Sequence, residues 1–260
     1  MEFTREKTNV AKGIAILLMF SNHLYAFPDR LLHGNFYIPL IPTFNVEFLI
    51  GNFGSVCVSI FLFLSGYGMY IGYKNSRYLS LRYSLNKLKD FYLTYWLYFL
   101  VFVPIGLFFF QNETLWYSSE KRYSLEILDL LEGFSGWSAR YNSEWWFVRM
   151  FVLMLLLLCP LYLSLANRNL STLCLISSTL FLLAWISKVD YTGLFGIFFW
   201  QINFFMGILF ARLNLYASPF FSRLDRYPGI FILLLGLLFD EIFFLLRSSL
   251  GAKVDFLFVA

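Results

Sequence analysis

Apolar residues in this chain gather into blocks of about twenty, and that blocking constrains the fold more than any other feature. A helix of that length crosses the hydrocarbon core of a bilayer with every backbone N–H and C=O satisfied inside its own segment. The blocks are apolar throughout, neither alternating nor amphipathic, so they read as membrane spans and not as soluble helices or strands. Composition agrees: 59% of residues are hydrophobic, 33 are phenylalanine, and only 14% are charged, against roughly 25% in soluble domains. The sequence therefore predicts an all-α fold, a polytopic transmembrane helix bundle, as one integral-membrane domain over residues 1–260.

About seven spans are present, near residues 10–27, 48–73, 91–110, 145–165, 170–187, 193–211 and 229–246. The polar segment 111–144 separates the third from the fourth. Pro104 and Pro160 fall within spans, where neighbouring helices can satisfy the carbonyls they free. Orientation follows from the basic residues. Arg5, Lys7 and Lys12, then Lys74, Arg77, Arg82, Lys87 and Lys89, then Arg212, Arg223 and Arg226 all share one side if the N-terminus is cytoplasmic. Segment 111–144 then faces outward with Glu113, Glu120, Glu126, Asp129, Glu132 and Glu144. The expected location is the cell membrane, multi-pass, in contact with membrane lipids. A net charge of +4 carried in short loops orients a membrane protein and gives no reason to expect a nucleic-acid partner.

Cys57, Cys159 and Cys174 all lie in apolar blocks without metal or redox spacing, so they read as buried small hydrophobes and no metal site is expected. No A-x-A-like cleavage site follows the N-terminal apolar stretch, which argues against a removable signal peptide. Residues 254–260 turn apolar again, so the chain is expected to be a truncated form of something longer.

Chemistry is suggested first by Lys12 and His23. Eleven residues on a helix are about three turns plus roughly 20°, so both line one face roughly 16 Å apart. An ionisable pair at membrane depth marks a functional site, with His23 suited to take a proton and Lys12 to meet a phosphate from the cytosol. The alternative is that Lys12 snorkels to headgroups while His23 bonds a neighbouring helix. Ser65 and Tyr67, within Phe61–Gly68, can hydrogen-bond across a bundle. The run Lys87 to Trp96 is a positive-inside anchor, or a surface for a phosphate-bearing ligand through Lys89. At the outer end of the fourth span stand Glu144, Trp146 and Arg149; the arginine needs a polar cavity or an acid such as Glu47 or Glu144, and the group would suit a sugar. Gln201, Asn203, Asp240 and Glu241 are expected to hydrogen-bond between helices, and His33 to sit in a solvated external loop.

Taken in order, these segments resemble acyltransferase family 3, bacterial membrane proteins that acylate cell-surface glycans. The basic residue and histidine eleven apart match Lys12 and His23. The family's pattern ending in L-S-G-F/Y matches Val58 to Tyr67, its basic run into Y-x-x-Y-W matches Lys87 to Trp96, and its W-F-hydrophobic span matches Trp146-Phe147-Val148. Its F-F-x-G-h-h-h-A-R matches Phe204 to Arg212. Ser59 stands where many members have an acid, Asp90 interrupts the basic run, and the family has further spans beyond those drawn here. The resemblance implies transfer of an acyl group, most often acetyl, from cytosolic acyl-CoA to a hydroxyl of an extracytoplasmic glycan or its lipid-linked precursor. His23 would be catalytic, Lys12 and Lys89 would bind acyl-CoA, and Ser65, Tyr67, Glu144, Trp146 and Arg149 would face the acceptor or line its path. Acyl-CoA is then a co-substrate and no cofactor is permanently bound. The rival readings are a non-enzymatic transporter or flippase, for which two symmetric halves would argue, and an inactive truncated fragment.

Overall fold

The computed structural model describes residues 4–27, 46–115 and 118–224. His33, Arg226, the span drawn at 229–246 with Asp240 and Glu241, and residues 254–260 lie outside these. The described residues form α1 (Arg5–Tyr25), α2 (Val46–Gly54), α3 (Cys57–Lys74), α4 (Ser80–Phe109), α5 (Ile127–Ser135), α6 (Trp146–Leu153), α7 (Cys159–Arg168), α8 (Leu170–Ile186), α9 (Gly196–Leu213) and α10 (Pro219–Leu224). They contain no strand, only an isolated antiparallel bridge between Thr114 and Lys121.

Among the described residues, four stretches are long and apolar enough to cross a membrane: Ile50–Lys74, Ser80–Phe109, Ser143–Arg168 and Gly196–Leu213. The apolar α8 is shorter, at 17 residues. With 21 residues, α1 is about 31 Å long and has the reach, but Asn9, Lys12, Asn22 and His23 dilute its apolar character. The chain is an all-α membrane bundle.

Three spans differ from their expected form. The second, drawn as one helix over 48–73, breaks at Ser55 and Val56. There the Ser55 hydroxyl and amide both turn back to the Asn52 carbonyl, at 2.9 and 3.2 Å, and interrupt the helical ladder. The third begins at Ser80, not 91, because its charged residues are good helix formers and point outward. Lys87 pairs with Asp90 one turn on, at 3.8 Å, and the Arg82 guanidinium lies 5.2 Å from the Tyr78 ring centre. In the fourth, a π-helical turn at Met154–Leu158 precedes Pro160. Proline clashes with the carbonyl four residues back, here Leu156, and the widened turn accommodates it.

The residues form two compact units, Met1–Lys74 with Ile202–Ala260, and Asn75–Gln201, with the boundary inside α9. In the first, α1 packs on α2 and α3, with Asn22 donating to the Gly51 carbonyl at 2.8 Å. A Cβ at Gly54 would lie 2.3 Å from the Leu18 carbonyl oxygen, so the two helices meet backbone to backbone. Phe63 and Phe210 meet edge to face at 5.4 Å in a cluster with Leu64, against which Ala11 packs.

In the second unit, Gln201 joins three helices. Its Oε1 accepts from Tyr162 at 2.5 Å and Ser177 at 2.7 Å, and its Nε2 donates to the Ser177 carbonyl at 2.9 Å. Such a satisfied amide is how a polar side chain is held at membrane depth. Asn203, across the boundary in the first unit, differs from expectation: it is buried, yet its Oδ1 has no hydrogen-bond partner among the described residues. Cys57 and Cys159 are buried and Cys174 is half-buried, all unbridged.

Candidate active site

α1 opens with Thr4 as its cap, the side-chain oxygen accepting from the Lys7 amide at 3.3 Å. Ala11, Ala15, Leu18 and Asn22 recur at helical spacing and form the face turned to α2 and α3. Each of Lys12 and His23 follows a residue of that face by one position and is therefore rotated about 100° from it. With Ile16 and Met19 they form a lateral strip of α1, from exposed Lys12 to half-buried His23. The strip is cationic at one end and carries an imidazole at the other, roughly 16 Å away.

Ser65 and Tyr67 are half-buried on α3, in the same unit. Between them Gly66 lies against α9, where a Cβ would sit 2.0 Å from the Phe204 carbonyl oxygen. Gly207 answers from α9, its own Cβ position 2.0 Å from the Phe63 carbonyl oxygen. The S-G-Y and F-F-x-G segments are thus reciprocal parts of one close helix contact. Tyr67 meets Tyr216 edge to face at 6.0 Å. Ser59 is fully buried, and its hydroxyl has no hydrogen-bond partner among the described residues.

Lys89 lies in the second unit, exposed on α4, and Asp90 pairs with Lys87 across one turn. The aromatics that follow are occupied structurally. Tyr92 donates to the Ser135 carbonyl at 2.7 Å, Trp96 to that of Phe134 at 2.9 Å, and Tyr95 to that of Gly133. Those are last-turn carbonyls of α5, which have no partner within their own helix. Gly136, at φ 75°, then ends α5 in the left-handed conformation that glycine adopts without penalty.

Segment 111–144 is therefore more than a surface loop. Tyr123 packs on Gly106, and Ser135 reaches Tyr92, so the segment runs back along α4 for about 20 Å. Irregular backbone at such depth requires protein cover and internal hydrogen bonds, which the α4 aromatics supply.

Glu144, Trp146 and Arg149 come together around the start of α6, all half-buried. Asn142 accepts from the Glu144 amide at 2.9 Å, and Trp146 packs on Trp200 at 5.9 Å. Arg149 was expected to need a polar cavity or an acid; backbone carbonyls supply the polar surroundings, Thr192 at 2.9 Å and Trp137 at 3.3 Å, with the Trp137 ring 5.9 Å away. It staples the loop before α9 to the turn after α5.

The polar residue that sequence reasoning passed over is Arg140. It bridges Glu120 at 3.1 Å and Asp129 at 3.4 Å and donates to the Lys121 carbonyl at 2.7 Å. Beside it burial, and then the Asp129 charge, push the Tyr141 hydroxyl up to about 12. The only sequence signal was an arginine placed among acids.

The long apolar helices define an all-helical membrane protein. The model of acyltransferase family 3, described as an acyltransferase domain, matches residues 6–256, and the chain belongs to that family. No curated protein and no solved structure matches it.

Proposed function

We propose that this transferase moves an acyl group, acetyl in the first instance, from cytosolic acyl-CoA to a hydroxyl of an extracytoplasmic glycan. The observation carrying this reading is the strip of α1 with Lys12 and His23 at its two ends, in a chain of the acyltransferase family. CoA phosphates meet Lys12, and the thioester extends toward His23. The His23 imidazole takes the proton of the acceptor hydroxyl as its oxygen attacks the thioester carbonyl. The carbon–sulfur bond breaks, the acyl oxygen ester forms, and the proton passes to the departing CoA thiolate. In the covalent variant the imidazole nitrogen attacks the thioester carbonyl first, the carbon–sulfur bond breaks and CoA leaves as its thiol with the imidazole proton; the acyl group then passes from histidine to the hydroxyl, whose proton returns to the imidazole.

Membranes carrying the chain should pass label from acetyl-radiolabelled CoA to glycan. Lys12→Gln should raise the KM for acetyl-CoA about tenfold, as expected for loss of a charged phosphate contact, and leave the acceptor KM unchanged. Lys12→Arg should stay near wild type, since charge is what the phosphate needs. Equal behaviour of the two variants would refute the phosphate role.

The orientation that this layout requires places the start of α4 in the cytosol and segment 111–144 outside. In intact cells an impermeant thiol reagent should label Glu113→Cys and leave Arg82→Cys untouched. The reverse pattern would invert the topology and, with it, the side from which acyl-CoA arrives.

A further inference from the structure

The α4 helix is longer than a bilayer crossing requires. Its 30 residues extend about 45 Å, against a hydrocarbon core of about 30 Å, so about ten of them lie beyond that core. Residues 91–109 carry no charge, and Arg82, Lys87, Lys89 and Asp90 all precede them. The surplus is therefore the first three turns of the helix.

Arg82, Lys89, Leu93 and Leu100 are seven, four and seven residues apart, which puts them within about 20° of one line along α4. All four are exposed, the two leucines by 55% and 62%, while Ser84 and Tyr95 on the opposite face are buried. The line has two halves of different chemistry. From Arg82 to Lys89, about 10 Å, it is cationic; from Leu93 to Leu100, another 10 Å or about that, it is apolar. Asp90, the acid beside it, is answered by Lys87 at 3.8 Å, so it does not cancel Lys89. The start of the helix adds to the positive field, because Leu79 at its cap offers no side-chain acceptor to the first amides. Leu79 and Leu81 are also exposed next to the cations, a mixture suited to the boundary between headgroups and acyl chains.

A ligand that matches this line carries a negative group and, directly next to it, an apolar chain. Inorganic phosphate and nucleotides supply the charge alone, and neutral lipids the chain alone. An anionic phospholipid supplies both, in the order the helix presents them. We propose that this face of α4 binds an anionic phospholipid, its phosphate between Arg82 and Lys89 and an acyl chain along Leu93, Leu97 and Leu100. Lys89 thereby has a partner other than acyl-CoA. The proposal rests on neither the acyl-transfer reading nor the orientation of the chain.

Titrating the detergent-purified full chain with phosphatidylglycerol in a neutral detergent should raise its melting temperature, because a ligand of the folded state stabilises it. Phosphatidylcholine with the same chains, and inorganic phosphate, should give no such rise. Arg82→Gln and Lys89→Gln should each weaken the affinity for phosphatidylglycerol about fivefold, the effect of one basic residue at an anionic surface, and together about 25-fold. Lys89→Arg should bind as wild type does. So should Lys188→Gln, which removes the same charge from an exposed residue after α8. An equal response to phosphatidylcholine or to inorganic phosphate would overturn the proposal, as would phosphatidylglycerol binding that survives the double substitution or falls equally in Lys188→Gln. Displacement of the lipid from wild-type protein by acetyl-CoA would also overturn it, by giving these charges to a nucleotide.

Discussion

Replacing His23 by alanine is expected to lower acyl transfer by about 10²–10⁴-fold, the contribution of a positioned general base. Expression and membrane insertion should be unaffected. The α1–α2 contact includes Asn22, whose amide bonds the Gly51 carbonyl, and Leu18 against Gly54, so thermal stability of the variant reports on packing separately from turnover. Lost activity with unchanged melting would assign the loss to chemistry and not to the helix. His23→Gln keeps a hydrogen-bonding group of similar reach but cannot take up a proton, and it should be as inactive as alanine. If glutamine restores turnover, the imidazole is a hydrogen-bonding group and not a base. Wild-type turnover in His23→Ala would return His23 to the packing reading. Label retained on wild-type protein in the absence of acceptor, and absent from His23→Ala, would select the covalent variant.

Much of this was legible in the sequence because bilayer burial leaves a coarse signal. Blocks of apolar residues placed the helices α4, α6 to α7, α8 and α9, and the eleven-residue spacing of Lys12 and His23 held because α1 is an unbroken helix. What hydropathy cannot register is a local break between equally apolar flanks. The turn at Ser55 and Val56 depends on one hydroxyl finding the Asn52 carbonyl, and the π-helical turn before Pro160 depends on a clash one turn back. The beginning of α4 was hidden for the opposite reason. Arg82, Lys87, Lys89 and Asp90 look like a loop by polarity but are a charged helix by propensity. Segment 111–144 was misleading because its composition is polar while its position is set by α4, whose Tyr92, Tyr95 and Trp96 hold the end of α5. The same cause limited the site reading. For Arg149 a sequence can name acids or a polar cavity in general, whereas the Trp137 and Thr192 carbonyls that receive it are set by the fold.

The S-G-Y and F-F-x-G segments carry the second large expectation, a loss of stability from adding a single methyl group. At Gly66 an alanine Cβ would fall 2.0 Å from the Phe204 carbonyl oxygen, and at Gly207 one would fall 2.0 Å from that of Phe63 and 2.7 Å from the Tyr67 nitrogen. Carbon and oxygen come no closer than about 3.3 Å even in favourable C–H···O contacts. Both obstacles are backbone atoms, so no side chain can rotate away and α3 must part from α9. Gly66→Ala and Gly207→Ala are each expected to cost about 3 kcal/mol, the upper end for overpacking a tight contact. Combined, they should cost less than their sum, because one separation of the helices relieves both clashes. Gly68, two residues along α3, has nothing within 4 Å of its Cβ position. Gly68→Ala should therefore be neutral or gain about 0.5–1 kcal/mol from the better helix former. Thermal unfolding of the four proteins in one detergent, followed by circular dichroism, measures the set. Gly66→Ala melting with Gly68→Ala would mean that α3 and α9 do not meet at these glycines, and additive losses in the double variant would mean that the two contacts are separate.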